Sequence, residues 1–151
     1  DIESQVIKSV LDELSSLADQ KGLKIIFTNY SDNSVIEGDL YTISQIFVNL
    51  IENAIKYSFE GEIKIIVRDD GGNNLKVDVV DQGIGMSDDF QKSIFTPFMQ
   101  EERGYSRKYE GNGLGLALVK KYVDVNNASI KVKSEKGVGS IFTVTFKKYL
   151  N

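Results

Sequence analysis

Asn49, Asn53 and Lys56 lie four and three residues apart. At about 100° per residue they share one face of a helix. Asn carbonyl oxygens are hard ligands that suit Mg²⁺, an ion that keeps several of its waters, and the ammonium suits phosphate. The same face also reads as a solvated one, on which Glu52 and Lys56 form an i,i+4 ion pair worth roughly 0.3 kcal/mol. A second group, Asp81-Gln82-Gly83-Ile84-Gly85, directly follows a strand-like run. Its carboxylate can accept a hydrogen bond from an exocyclic amine, and its glycines let the backbone come close to a planar ligand. A plain turn at the end of a hairpin has the same pattern. A third group, Gly111-Asn112-Gly113-Leu114-Gly115-Leu116, runs into a helix. Glycines permit positive φ, and a helix N-terminus offers free N–H groups to anions. No Gly-Lys-Ser/Thr follows, so this is no Walker A loop. Its spacing and polar lead-in do not fit a dinucleotide fingerprint. A flexible hinge is the simpler alternative.

The elements that must hold these groups are legible from periodicity. Ile2, Val6, Val10, Leu14 and Leu17 recur at helical spacing and predict a helix over about 3–20, with Gly22 as its C-cap. Leu23 to Thr28 reads as a strand. Asp39 is a good N-cap for a second helix. Its apolar stripe is Leu40, Ile43, Phe47, Leu50, Ala54 and Tyr57, and it should end near Tyr57 or Ser58. The polar row of Asn49, Asn53 and Lys56 lies about 120° from that stripe. Glu62 to Arg68 and Leu75 to Asp81 flank Asp-Asp-Gly-Gly-Asn-Asn, a hairpin signal. A short helix is expected over about 87–95. Residues 99–112, polar and mixed in charge, are expected to form a mobile loop. Leu114 to Val125 predicts a third longer helix. Ile130 to Ser134 and Ile141 to Lys147 predict two closing strands around Lys136-Gly137-Val138-Gly139. The sum is a two-layer α/β sandwich: a mixed, largely antiparallel sheet of about five strands, one face covered by about three helices. With no repeat or linker in sight, residues 1–151 read as one domain.

Composition removes several classes of function. At 151 residues, 41% hydrophobic and 26% charged, the chain is globular. No apolar run approaches the ~20 residues of a membrane-spanning helix, and Asp1-Ile2-Glu3-Ser4 is unlike the start of a signal peptide. With 0 Cys and 0 His there is no disulfide, no thiolate or imidazole metal site and no phosphohistidine. A net charge of −4 argues against nonspecific nucleic-acid binding.

In this order the motifs resemble one family, the sensor histidine kinases. Asn49-Leu-Ile-Glu-Asn53-Ala-Ile-Lys56-Tyr57-Ser resembles their N box, and Asp81-Gln-Gly83-Ile-Gly85-Met their G1 box. Phe95-Thr-Pro97-Phe98 resembles the F box. Ser106-Arg107-Lys108-Tyr109-Glu-Gly111-Asn-Gly113-Leu-Gly115-Leu resembles the G2 box and its lead-in, and Gly137-Val-Gly139-Ser-Ile-Phe142 the end of the domain. The resemblance covers nearly the whole chain and implies an ATP-binding catalytic domain of Bergerat type, the fold of gyrase, chaperone and mismatch-repair ATPases. Carried over by residue, it implies that Asn53 is the main Mg²⁺ ligand with Asn49 assisting. Lys56 contacts phosphate, Tyr57 packs on the adenine, and Asp81 binds the adenine amine between Gly83 and Gly85. Phe98 and the segment to Asn112 form a lid that closes through Gly111, Gly113 and Gly115. Arg107 or Lys108 adds charge neutralisation. Ile84, Met86, Leu114, Leu116 and Thr143 complete the expected nucleotide-binding set.

Asn49 separates readings within that superfamily. Its hydrolytic relatives have a Glu there, which activates water; an amide cannot act as a general base. This points to transfer of the γ-phosphoryl group to a histidine, with Glu52 as the residue that polarises the acceptor imidazole. The alternatives are a gyrase-like hydrolase and a degenerate, non-enzymatic nucleotide-binding module. Two departures are Gln100, where many relatives have a lid Arg, and Asn112 in place of the commoner Thr. The resemblance also implies partners: a helical dimerisation and phosphoacceptor domain in the same or a sister chain, and downstream the receiver domain of a response regulator. The expected setting is cytoplasmic, with no nucleic acid or direct membrane contact, in a parent whose membrane anchorage is open. The acceptor domain is expected to be absent from residues 1–151, and the isolated domain to be monomeric and unable to label itself.

Overall fold

The structure is a computed structural model that describes residues 1–96 and 115–151. A π-helical turn, Glu3–Ile7, runs into α1, Lys8–Gln20. Then follow β1 (Lys24–Asn29), α2 (Leu40–Tyr57), β2 (Glu62–Asp69), β3 (Asn74–Asp81), the one-turn α3 (Asp88–Gln91), α4 (Gly115–Val125), β4 (Ser129–Glu135) and β5 (Gly139–Lys147). The five strands form one sheet in the order β1-β2-β3-β5-β4. β1 and β2 are parallel, with α2 as the crossover such a pair requires, and the other neighbours are antiparallel. This is the two-layer, largely antiparallel architecture expected from the sequence.

Alternation along the strands sends one set of side chains to the helices. Ile63, Ile65 and Val67 on β2, Leu75, Val77 and Val79 on β3, and Phe142, Val144 and Phe146 on β5 are all buried. They pack with the apolar faces of α1, α2 and α4 in one core, where the rings of Phe47 and Phe146 lie 6.2 Å apart and tilted. Each fully buried aliphatic side chain contributes about 1.5–3 kcal/mol.

The helices differ from the expected stripes at their margins. Leu17 is 42% exposed and Leu40 is 54% exposed. Ala18, four residues after Leu14, continues the buried row of α1 instead. On α2 the buried band widens to include Ile46, Ile51 and Ile55, because this helix is packed against α1 and α4 as well as the sheet. The short helix expected over 87–95 is only Asp88–Gln91. Beyond it the chain turns and buries Ile94.

Two clamps orient α2. At its start the Asp39 side chain accepts the Thr42 N–H at 2.8 Å, which holds that carboxyl below its usual range. The Asp39 N–H donates to Asn126 Oδ1 at 2.9 Å, and Asn126 Nδ2 donates to Thr42 Oγ1 and to the Tyr122 carbonyl. Asn126 lies just past α4. The end of α4 is thereby tied to the start of α2, and the two helices run in opposite senses.

Candidate functional site

Because α4 runs back along α2, its first residue meets the amide row. Asn49 Nδ2 donates to the Gln45 carbonyl at 2.8 Å. Its oxygen therefore faces outward, and a Cβ added to Gly115 would sit 3.2 Å from it. Asn53 is half-buried one turn further on, and Glu52 beside it is exposed. Lys56 and Tyr57 are half-buried, with the Lys56 ammonium 5.8 Å from the centre of the Tyr57 ring.

The turn after β3 closes against the end of α2. Ile84 N–H donates to the Tyr57 carbonyl at 3.2 Å. At Gly83 a Cβ would overlap that carbonyl and approach Asp81 Oδ1 to 2.9 Å, so only glycine allows the approach. Gly85 adopts φ +66°, and a Cβ there would overlap the Glu135 carbonyl of the β4–β5 turn. Gly137 N–H donates to the Ile84 carbonyl at 2.7 Å, and Met86 N–H to Ser134 Oγ at 2.8 Å. Gln91 Nε2 bridges the Met86 and Ser134 carbonyls. Ser134 and Ser140 share a 2.7 Å hydrogen bond. Two turns more than fifty residues apart in sequence thus form one wall.

Asp81 stands where β3 enters this wall. It is 9% exposed, and Gly83 N–H donates to it at 2.9 Å. Burial pushes its carboxyl above the usual range, against the opposing effect of backbone N–H groups from Gly83 and Ser140. No cation pairs with it among the described residues. A buried carboxylate satisfied only by backbone donors keeps acceptor capacity for a ligand N–H.

The structure thus brings together Asn49, Asn53, Lys56, Tyr57, Asp81, Gly83, Ile84, Gly85 and Gly115. Met86 and Leu116 pack at the edge of the core beside them. Thr143 is not in this group. β5 pairs with β3 so that Thr143 lies opposite Asp78 and Ser140 lies opposite Asp81. The Thr143 hydroxyl donates to Asp78 Oδ1 at 2.6 Å on the sheet face turned away from the helices. The β5 residue beside Asp81 is Ser140, which the motif reading passed over; counting back along the paired strands finds it. Phe98, Arg107, Lys108, Gly111, Gly113 and Leu114, and the loop expected at 99–112, lie outside the described residues.

Among the described residues no cluster of three His, Cys, Asp or Glu could hold a metal. The outward oxygen of Asn49 and the amide of Asn53 are hard oxygen donors of the kind that would suit a hydrated Mg²⁺. No helix among them is long and apolar enough to cross a membrane.

A family profile described as histidine kinase-, DNA gyrase B- and HSP90-like ATPase matches residues 38–150. The chain belongs to this ATPase family. It is 40% identical over 131 residues to hybrid signal transduction histidine kinase B of Dictyostelium discoideum, covering 83% of this chain and 7% of that protein. It is 36% identical over 135 residues to the autoinducer 2 sensor kinase/phosphatase LuxQ of Vibrio parahaemolyticus, covering 85% of this chain and 16% of that one. The crystal structure of full-length ShkA in complex with AMPPNP superimposes with a TM-score of 0.85 at 27% identity, over 100% of this chain and 31% of that one. Within the family the chain is accordingly an ATP-binding catalytic domain of the sensor histidine kinase kind, and it spans a small part of the length of these relatives.

Proposed function

We propose that this domain binds Mg-ATP between the amide face of α2 and the Asp81 turn, and donates the γ-phosphoryl group to a histidine on a separate helical phosphoacceptor domain. The observation that carries this reading is the junction of α2 with that turn through the Tyr57 carbonyl and Ile84 N–H. It brings the face of α2 that bears Asn49, Asn53 and Lys56 up to the turn that follows the buried Asp81, which supports the reading.

In this reading Asp81 accepts from the exocyclic amine of the base, Gly83 and Gly85 let the ring approach the backbone, and Tyr57 covers it. Lys56 holds phosphate. Asn53 and Asn49 hold Mg²⁺, which neutralises phosphate charge when bound. The acceptor imidazole nitrogen bonds to the γ-phosphorus while the bond to the β,γ-bridging oxygen breaks and ADP leaves with the electron pair. Such a transfer needs positioning and charge neutralisation more than covalent help from the protein. Glu52, exposed on the same helix, takes the proton of the acceptor imidazole. Asn49 cannot deprotonate water, which favours transfer over hydrolysis. The reading assigns further nucleotide contacts to Phe98, Arg107, Lys108, Gly111, Gly113 and Gly115, the residues the sequence motifs name. The receiver domain of a response regulator follows downstream, in the cytoplasm; for another protein of this fold, ThkA, a complex with the response regulator protein TrrA is known.

The test pairs this domain with an acceptor. The domain is mixed with a histidine-bearing helical phosphoacceptor domain, γ-labelled ATP and Mg²⁺. Acid-labile label is expected on the acceptor and none on this chain, which has 0 His, and Asn53→Ala is expected to abolish it. Steady ATP turnover without any acceptor would overturn the proposal in favour of a hydrolase.

A further inference from the structure

The last carbonyls of a helix have no partner within it and carry the negative end of its dipole. α1 solves this locally. Gly22 adopts φ +68°, its N–H returns to the Asp19 carbonyl, and Leu23 N–H returns to that of Ala18. The end of α2 is built differently. Ser58 leaves the helix extended, at φ −101° and ψ 140°, so no left-handed residue folds the following N–H groups back. The partners come from distant chain instead. Lys21 Nζ donates to the Ile55 carbonyl at 2.6 Å and to the Lys56 carbonyl at 3.1 Å. The Tyr57 carbonyl accepts from Ile84 N–H at 3.2 Å.

Three successive carbonyls of α2 are therefore held by the α1–β1 corner on one side and the Asp81 turn on the other. Lys21 is well placed for this. Its own N–H is fixed to the Ala18 carbonyl, the same corner is tied across by Lys24 N–H to the Gly61 carbonyl, and the ammonium lies 5.9 Å from the centre of the Phe59 ring. Burial of the ammonium pushes its pKa below the ordinary lysine value. Its hydrogen bonds to the end of α2 go to backbone carbonyls, and it lies outside the sequence motifs that line the site.

We infer that Lys21 is a positioning residue for the nucleotide site: by binding the carbonyls of Ile55 and Lys56 it holds the last turn of α2 helical. It thereby sets the side chains of Lys56 and Tyr57 and the carbonyl on which the Asp81 turn rests. Helix ends fray when their terminal carbonyls are left to water. The turn that would fray here is the one that carries the phosphate and base contacts. This inference rests on the proposed Mg-ATP site.

The experiment compares wild type with Lys21→Met, Lys21→Gln and Lys21→Arg. Thermal unfolding, calorimetric Mg-ATP affinity, and amide exchange at Ile84 and Tyr57 without nucleotide are measured on each. Lys21→Met is expected to fold, because residue 21 is exposed. It should bind Mg-ATP about tenfold more weakly, the scale of one lost charge-assisted hydrogen bond, and should lose protection at the Ile84 N–H. Lys21→Arg should restore both to within about twofold. Lys21→Met with wild-type affinity and unchanged Ile84 exchange, whatever its melting temperature, would show a merely structural lysine and overturn the inference. Should Lys21→Met not fold, Lys21→Gln decides: weaker binding than Lys21→Arg supports the inference, equal binding overturns it. If wild type itself failed to bind Mg-ATP, the proposed function would fall, while the exchange measurement would still decide what Lys21 holds.

Discussion

Asp78 and Asp81 stand three residues apart on β3 and have opposite chemistry. The odd spacing sends them to opposite faces of the sheet. Asp78, on the face turned away from the helices, is 7% exposed and paired with a cation. Arg68 donates to it through Nε at 2.6 Å and Nη2 at 3.3 Å, and Thr143 Oγ1 at 2.6 Å. Asp81 is buried to a similar degree on the helix side, where backbone N–H groups are its partners among the described residues and burial pushes its carboxyl up. The Asp78 carboxylate, bonded to Arg68 of β2 and Thr143 of β5, ties three strands together. Asp81, with no cation partner among the described residues, has its charged form disfavoured by burial.

The largest expected effect separates the two by binding. Asp81→Asn should weaken Mg-ATP affinity about 10- to 100-fold, the range for a lost hydrogen bond to a charged group, and should not lower the melting temperature of the nucleotide-free domain. Undiminished affinity by calorimetry would remove Asp81 from the site. The converse variant, Asp78→Ala, leaves affinity unchanged but strands Arg68 and Thr143. It should cost about 1–3 kcal/mol in denaturant unfolding. A loss of nucleotide affinity without loss of stability would erase the contrast.

A pH series sharpens it further. The unfolded Asp81 loses its proton near 3.8, while the folded group keeps it to higher pH. Folding therefore binds a proton over that interval, and the Asp81 contribution to stability falls as pH rises through it and stays lower above. Asp39, Glu3, Asp69 and Asp70 have lowered values and act in the opposite sense, losing their contribution as pH falls below the ordinary carboxylate range. Subtracting the Asp81→Asn curve from the wild-type curve isolates the Asp81 slope. A difference that does not change between pH 4 and neutrality, taken as about the carboxylate interval, would mean the carboxyl is not raised. The smallest expected effect is that of Thr143→Val. Losing one of three donors to Asp78 should cost about 1 kcal/mol and leave nucleotide affinity at the wild-type value. Weaker binding by that variant would return Thr143 to the site.

Local signals were enough for most of the architecture. The Asp39 cap, the four-and-three spacing along α2, the glycine-rich hairpin between β2 and β3 and the C-cap at Gly22 each act over a few residues. The structure shows all four where the periodicity predicts them. The stripes failed where burial depends on neighbours: Leu17 and Leu40 satisfy the period yet face solvent, since the sequence of one helix does not say how far the next element reaches.

By itself the amino-acid sequence determined the type and order of the elements, the row of amides on α2 and the ordered motifs that mark the family, because helical and strand periods and motif spacings are properties of contiguous chain. Only the tertiary structure decided which groups meet. The pairing of β3 with β5 sets Ser140 rather than Thr143 beside Asp81. The return of α4 sets Gly115 against Asn49, and the α1–β1 corner delivers Lys21 to the end of α2. Those partners are 34 to 66 residues apart in the chain. No local pattern encodes such contacts; strand register and helix packing, set by the shared core, make them.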